Sequence, residues 1–206
     1  MLLRTPVYLL NSVVGVVIVP ILLILSTSMD GGQSINSLNM ITTDNSQLIS
    51  LFGIGMVTIL GVMNCVGCTT FSREGKSFWI QRIIPIKARD QILGRVISSL
   101  FVQIIGIIAL MVSLFFITNI TMENIFWIIF LGLLGSVPMT KLGMIVDISR
   151  PLLDWDNPQK VMKQNLNVLI AMGIGGLYLL LIGFLVYKLV VMDMDILIIY
   201  GVIGFI

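Results

Sequence analysis

The chain has 206 residues, 57% of them hydrophobic and 11% charged, with a mean hydropathy of +1.07. A water-soluble domain carries about a quarter of its residues charged, so the composition excludes one and points to a single membrane-embedded unit. The net charge of +2 gives no basic field for nucleic acid, and the absence of histidine closes imidazole catalysis and the metal sites built on it.

An apolar run of about 20 residues crosses the hydrocarbon core as a helix, and five such runs and a short sixth are present. The first, about 8–25, follows Arg4; it is too long for a signal-peptide core and lacks a small-x-small exit. A turn-rich loop, Ser26 to Asn45, carries Asp30-Gly31-Gly32 and leads to a second run, about 48–71. A basic segment, 72–95, precedes the third run at about 96–118. After Asn119-Ile120-Thr121, a glycosylation-type triplet of the kind that arises by chance, come runs at about 125–146, 166–189 and 196–206. Since a backbone in lipid must pair with itself, the fold class is all-α: one polytopic transmembrane domain, 1–206, with six helices, the last one short.

Basic residues resist translocation, so their placement sets orientation. Arg4 precedes the first run; Arg73, Lys76, Arg82, Lys87, Arg89 and Arg95 lie between the second and third; Lys141, Arg150, Lys160 and Lys163 lie at the end of the fourth or beyond it. Lys188 alone opposes them, on the face that carries Asp30, Asp44, Glu123, Asp193 and Asp195. The asymmetry predicts an N-in, C-in topology.

Two short motifs lead nowhere. Gly75-Lys76-Ser77 has the tail of a phosphate loop, but Thr70 stands where the first glycine belongs and the tripeptide follows an apolar helix, not a strand. Cys65-x-x-Cys68 lies in an apolar run without further ligands, which fits packing better than redox or metal chemistry. At 100° per residue, Thr58, Gly61, Asn64, Cys65 and Cys68 fall in one sector about 120° wide on the second span. Such a small, polar stripe serves a close helix contact or walls a translocation path. The first reading is preferred, because no intramembrane acid accompanies the stripe.

The segment 72–95 reads SREGKSFWIQRIIPIKARDQILGR. Phe78, Trp79, Arg82 and Ile83 stand at helical spacing before Pro85, which suits an interfacial amphipathic helix or an element docking into a groove on a partner; composition does not separate the two.

The run from Phe71 to Lys76, with Phe78-Trp79 and Ile84-Pro85, resembles the loop between helices 2 and 3 in permease subunits of bacterial type-2 ATP-binding cassette (ABC) exporters. A second patch is similar to a segment of one bacterial branch of these permeases: Asp147-Ile148-Ser149-Arg150-Pro151, Trp155-Asp156-Asn157-Pro158 and Lys163-Gln164-Asn165. The opening Arg4-Thr5-Pro6-Val7-Tyr8 with Asn11 resembles that branch too. The resemblance implies a permease subunit in a bacterial plasma membrane, non-catalytic itself and without cofactor, coupled to a separate ABC ATPase subunit through 72–95. It makes Glu74, Gly75, Phe78, Trp79, Arg82, Pro85 and Lys87 the docking candidates, with Phe78 and Trp79 as apolar anchors and Glu74, Arg82 and Lys87 as rim contacts; Asp147, Arg150, Pro151, Trp155, Asn157, Lys163 and Asn165 form the second segment. Other expected partners are lipid and either a second copy or the rest of a longer permease, since permeases of this branch carry more helices upstream and the last run here is short. A secondary transporter would need a coupling-ion carboxylate within a span, and every Asp and Glu is expected outside the span centres. A membrane anchor or sensor would use Trp79 and its basic neighbours for lipid alone.

Overall fold

The computed structural model describes residues 5–29, 46–118 and 120–205, and all regular structure among them is helical. In chain order the elements are α1 (Pro6–Met29), α2 (Ser46–Met63), two 3-10 turns (Gly67–Thr69 and Ser72–Ser77), α3 (Ile80–Ile83), α4 (Ala88–Ile117), α5 (Met122–Ser149), α6 (Pro158–Lys163), α7 (Leu166–Val191) and α8 (Ile196–Phe205). Among the described residues five stretches are long and apolar enough to cross a membrane: Pro6–Met29, Leu48–Ser77, Ala88–Ile117, Met122–Ser149 and Pro158–Val191; α8 is a shorter apolar helix. Arg4, Asn119 and most of the expected 26–45 loop, with Asp30 and Asp44, lie outside the described residues, as do the side chains of Arg82 and Lys163.

α2 and α5 form the central pair. A Cβ at Gly53 would stand 2.5 Å from Ile128 Cδ1, and one at Gly132 would stand 2.4 Å from Val57 Cγ1, so each helix uses a glycine to admit the other's branched side chain. Around this contact Leu60, Leu110, Leu114 and Leu131 close the core, and α8 enters it through Ile199, Tyr200 and Ile203. The Tyr200 hydroxyl is hydrogen-bonded to Ser50 and its ring lies 4.7 Å from that of Trp127. α1 presents Tyr8, Ser12, Val16 and Pro20, one turn apart, as its buried stripe. α7 is peripheral, with only Asn167, Val168 and Gly175 buried.

Two boundaries differ from the sequence expectation. The second span does not run as one α-helix to residue 71 but stops at Met63. The Asn64 side chain is responsible: its Oδ1 accepts the Val66 N–H, while its amide donates to Ser99 O at 2.8 Å, so a polar side chain takes backbone bonds that a continuing helix would need. The five-residue stripe is therefore not carried on one continuous helix. The third span starts at Ala88, not near 96, because the chain resumes a helix directly after Pro85-Ile86-Lys87, with Asp90 in the favourable first turn. Much of what reads as loop is helix extending past the apolar core.

The G132L substitution should drive its side chain into Val57 and lower stability by about 1–3 kcal/mol, read as a fall in the thermal unfolding midpoint in detergent. G173A, where an added Cβ meets nothing within 4 Å, should leave that midpoint unchanged or slightly raised.

Candidate functional site

One end of the bundle gathers the start of α1, the end of α2, the start of α4, the end of α5 and the start of α7. Its centre is Asp147, near the end of α5 and 0% exposed. One carboxylate oxygen accepts the N–H of Phe71 at 2.6 Å and of Ser72 at 3.0 Å; the other accepts the Ser72 hydroxyl and, at 3.1 Å, the side-chain amide of Asn167. Asn167 also donates to the Arg150 carbonyl at 2.7 Å, and the Leu152 N–H donates to Ser72 Oγ at 2.9 Å. Trp155 completes the clasp by donating its indole N–H to Ser72 O at 2.9 Å. Its ring covers Gly75, whose φ of +53° and lack of space (a Cβ would be 2.9 Å from the indole) both require glycine. Tyr8 meets the far edge of Trp155, centroids 6.5 Å apart.

Two arginines hold the same segment from within. Arg73, 5% exposed, donates to Thr69 O at 3.2 Å and Val66 O at 2.9 Å and lies 5.9 Å from the Tyr8 ring centre. Arg95, reaching across from α4, donates to Thr70 O at 2.8 Å, forms an ion pair with Glu74 and lies 4.2 Å from the Phe71 ring centre. With the side chains of that pair only 11% and 8% exposed, it is a buried pair whose breakage strands a charge. These groups close the backbone bonds that the irregular 64–77 stretch leaves open.

The docking candidates therefore divide. Glu74, expected on a rim, is turned inward to Arg95. Phe78, expected as an outward anchor, is half-buried, edge-on to Phe71 at 6.1 Å and packed on a cluster with Val96 and Met144. Trp79, Pro85 and Lys87 are exposed, Trp79 at 60%, and Ile83, noted for its helical spacing but not among the docking candidates, reaches 68%. The backbone is helical from Phe78 through α3 (Ile80–Ile83), as the spacing before Pro85 predicts, while Gly75 separates this short piece from the turn at Ser72–Ser77.

In the second segment Asp147 and Asn165 are buried, Pro151 and Trp155 half-buried, and Arg150 and Asn157 exposed. Asn157 and Asn165 cap α6 and α7, accepting the N–H of Gln159 and Asn167. The stripe residues face neighbouring helices: Gly61 lies against Ser136, Thr58 near Gly135 and Cys68 against Gly143, Asn64 reaches Ser99 and Gln103, and Cys65 is half-buried. Among the described residues no three His, Cys, Asp or Glu side chains are grouped to hold a metal ion.

Sequence reasoning met Ser72 and Arg73 as part of the Phe71–Lys76 run and Arg95 as a topology charge but gave none of them a structural role, and it did not single out Asn167. Every carboxylate was expected outside the span centres or at an edge, and Asp147 does stand at such an edge, near the end of α5; its complete burial there was not foreseen. Arg73 bonds carbonyls only 4 and 7 residues back, but the partners of Ser72, of Arg95 and of the Asn167 side chain lie 17 to 83 residues away along the chain, beyond any local periodicity.

Removing the Asp147 charge by D147N should cost about 3–5 kcal/mol, because Phe71, Ser72 and Asn167 lose a common charged acceptor, and should speed tryptic cleavage after Lys76. D154N should do neither, since Asp154 and Lys76 are 3.9 Å apart and highly exposed. Compared with known proteins, the chain matches no family model, no curated protein and no solved structure, so a functional reading rests on this geometry and on the sequence resemblance.

Proposed function

We propose that the chain is the membrane-spanning permease subunit of an ABC exporter in a bacterial plasma membrane, with both termini cytoplasmic and a separate ATPase docked on the 72–87 segment. One observation carries the reading: a short apolar tip, Trp79, Ile80 and Ile83, projects from a base fixed to α5 through Asp147, to α4 through Arg95 and to the loop after α5 through Trp155. An interfacial lipid helix needs a continuous apolar face and no such base. A docking element needs what is present here, an exposed aromatic anchor for a partner's groove and a stiff mount. In this mechanism ATP binding closes the ATPase subunits, the tip moves with them, and the Glu74–Arg95 and Asp147 contacts pass the displacement to α4 and α5. The chain supplies no hydrolytic chemistry in this reading; the excess of basic residues at the tip's end, against Lys188 at the other, supports a cytoplasmic position for that end.

Replacing Trp79 and Ile83 together with Ala should reduce a co-expressed ABC ATPase in pull-downs at least tenfold, with membrane insertion and thermal midpoint unchanged. Retention of ATPase and transport, with loss of lipid attachment alone, would refute the docking role. For topology, in a background lacking Cys65 and Cys68, Thr121→Cys should react with an impermeant thiol reagent in intact cells and Lys160→Cys only after permeabilisation. External labelling at position 160 would reverse the orientation and remove the coupling assignment with it.

A further inference from the structure

A cavity of about 470 Å³ opens between the 70–86 segment and the first turns of α4. Its lining combines Ile80, Ile84 and Ile86 with Arg73, Arg95 and Glu74. On α4 the lining residues Gly94 and Ser98 are small, and a Cβ at Gly94 would meet nothing within 4 Å. Arg73, though 5% exposed, keeps its Nη1 without a hydrogen-bond partner, a costly state for a buried cationic donor. Lys87 and Arg89, exposed and next in sequence to the lining residues Ile86 and Asp90, have no acidic partner among the described residues. Glu74 is already paired with Arg95, so Asp90 is the one lining carboxylate that offsets these charges.

Depth narrows the choice of ligand. α4 has 30 residues, about 45 Å of helix, against a hydrocarbon thickness of about 30 Å. Its far end stays apolar to Ile117, with Phe115 and Phe116 exposed, so the surplus falls at the Ala88 end. The cavity, on Asp90 to Ser98, thus lies level with lipid headgroups.

We infer that this cavity binds the phosphate headgroup of one anionic phospholipid from the leaflet on the basic side, the phosphate held by Arg73 in the lining and drawn by the exposed Lys87 and Arg89, which flank lining residues in sequence, and the first chain methylenes resting on the isoleucines. The assignment stands independently of the transport reading. A soluble phosphate shares the anion chemistry but would leave the isoleucine wall unused.

Native mass spectrometry of the chain purified in neutral detergent, with phosphatidylglycerol or phosphatidylcholine added, tests this. One phosphatidylglycerol per chain should survive activation that strips phosphatidylcholine. Lys87→Gln with Arg89→Gln should weaken its retention about thirtyfold. Gly94→Leu and, separately, Ser98→Leu fill the cavity while leaving every charge in place; each should abolish retention with the thermal midpoint unchanged. Equal retention of the two lipids, or of phosphatidylglycerol by wild type and both leucine variants, would overturn the site in favour of diffuse surface attraction. Displacement of the lipid by millimolar inorganic phosphate would overturn the lipid assignment in favour of the free anion.

Discussion

The basic end of the bundle depends on the placement of one carboxylate. The stretch from Asn64 to Ser77 is neither α-helix nor solvated loop, and a backbone of that kind cannot be buried unless its N–H groups find acceptors. Asp147 accepts two of them in succession and takes the Ser72 hydroxyl as well. A neutral acceptor of the same shape would supply weaker bonds, and an apolar one would leave two amides bare. From this contact follow the fixed position of Ser72, the seat for Trp155 and the left-handed turn at Gly75 that sends the chain outward to Trp79.

Among the described residues the other end shows no buried carboxylate holding backbone in this way. There α8 docks by apolar packing and by the Tyr200–Ser50 hydrogen bond, with Trp127 against the tyrosine ring. The bundle is therefore asymmetric in kind: one end is joined by charge-assisted bonds to backbone, the other by side-chain contact. Charge-assisted bonds inside a low-dielectric region are stronger and more exacting in geometry than apolar contact, which tolerates sliding.

The spans were legible because crossing lipid demands length and hydrophobicity, both local properties; α7 starts and α8 starts where the apolar pattern places them, at residues 166 and 196. The end of α2 was not legible, since the deciding event is a side-chain choice by Asn64 between its own backbone and a carbonyl on α4. The start of α4 was missed because Arg89, Asp90 and Arg95 look like loop charges, although they lie on a helix that outruns the hydrocarbon. The two patches around Phe71–Pro85 and Asp147–Asn165 were visible as unusual stretches. That they form one structure was not, because each residue meets a partner from the other patch: Ser72 with Asp147, Gly75 under Trp155. The resemblance likewise implied Phe78 and Trp79 as a pair of outward anchors, whereas after the turn at Gly75 the phenylalanine packs into the Phe71 cluster.

The clasp also dictates an order of biogenesis. Ser72 and Asp147 are separated by 75 positions, and Trp155 follows Ser72 by 83. A ribosome adding about 5–20 residues per second makes Ser72 roughly 4–15 s before its acceptor exists. Through that interval the 64–77 stretch, with Arg73 in it, has to wait at the membrane surface with water as its partner. Only after α5 and the residues beyond it emerge can the segment leave water and take its buried form. Closure of this end is thus a late event of synthesis, and a nascent chain cut short before Asp147 carries its basic segment open.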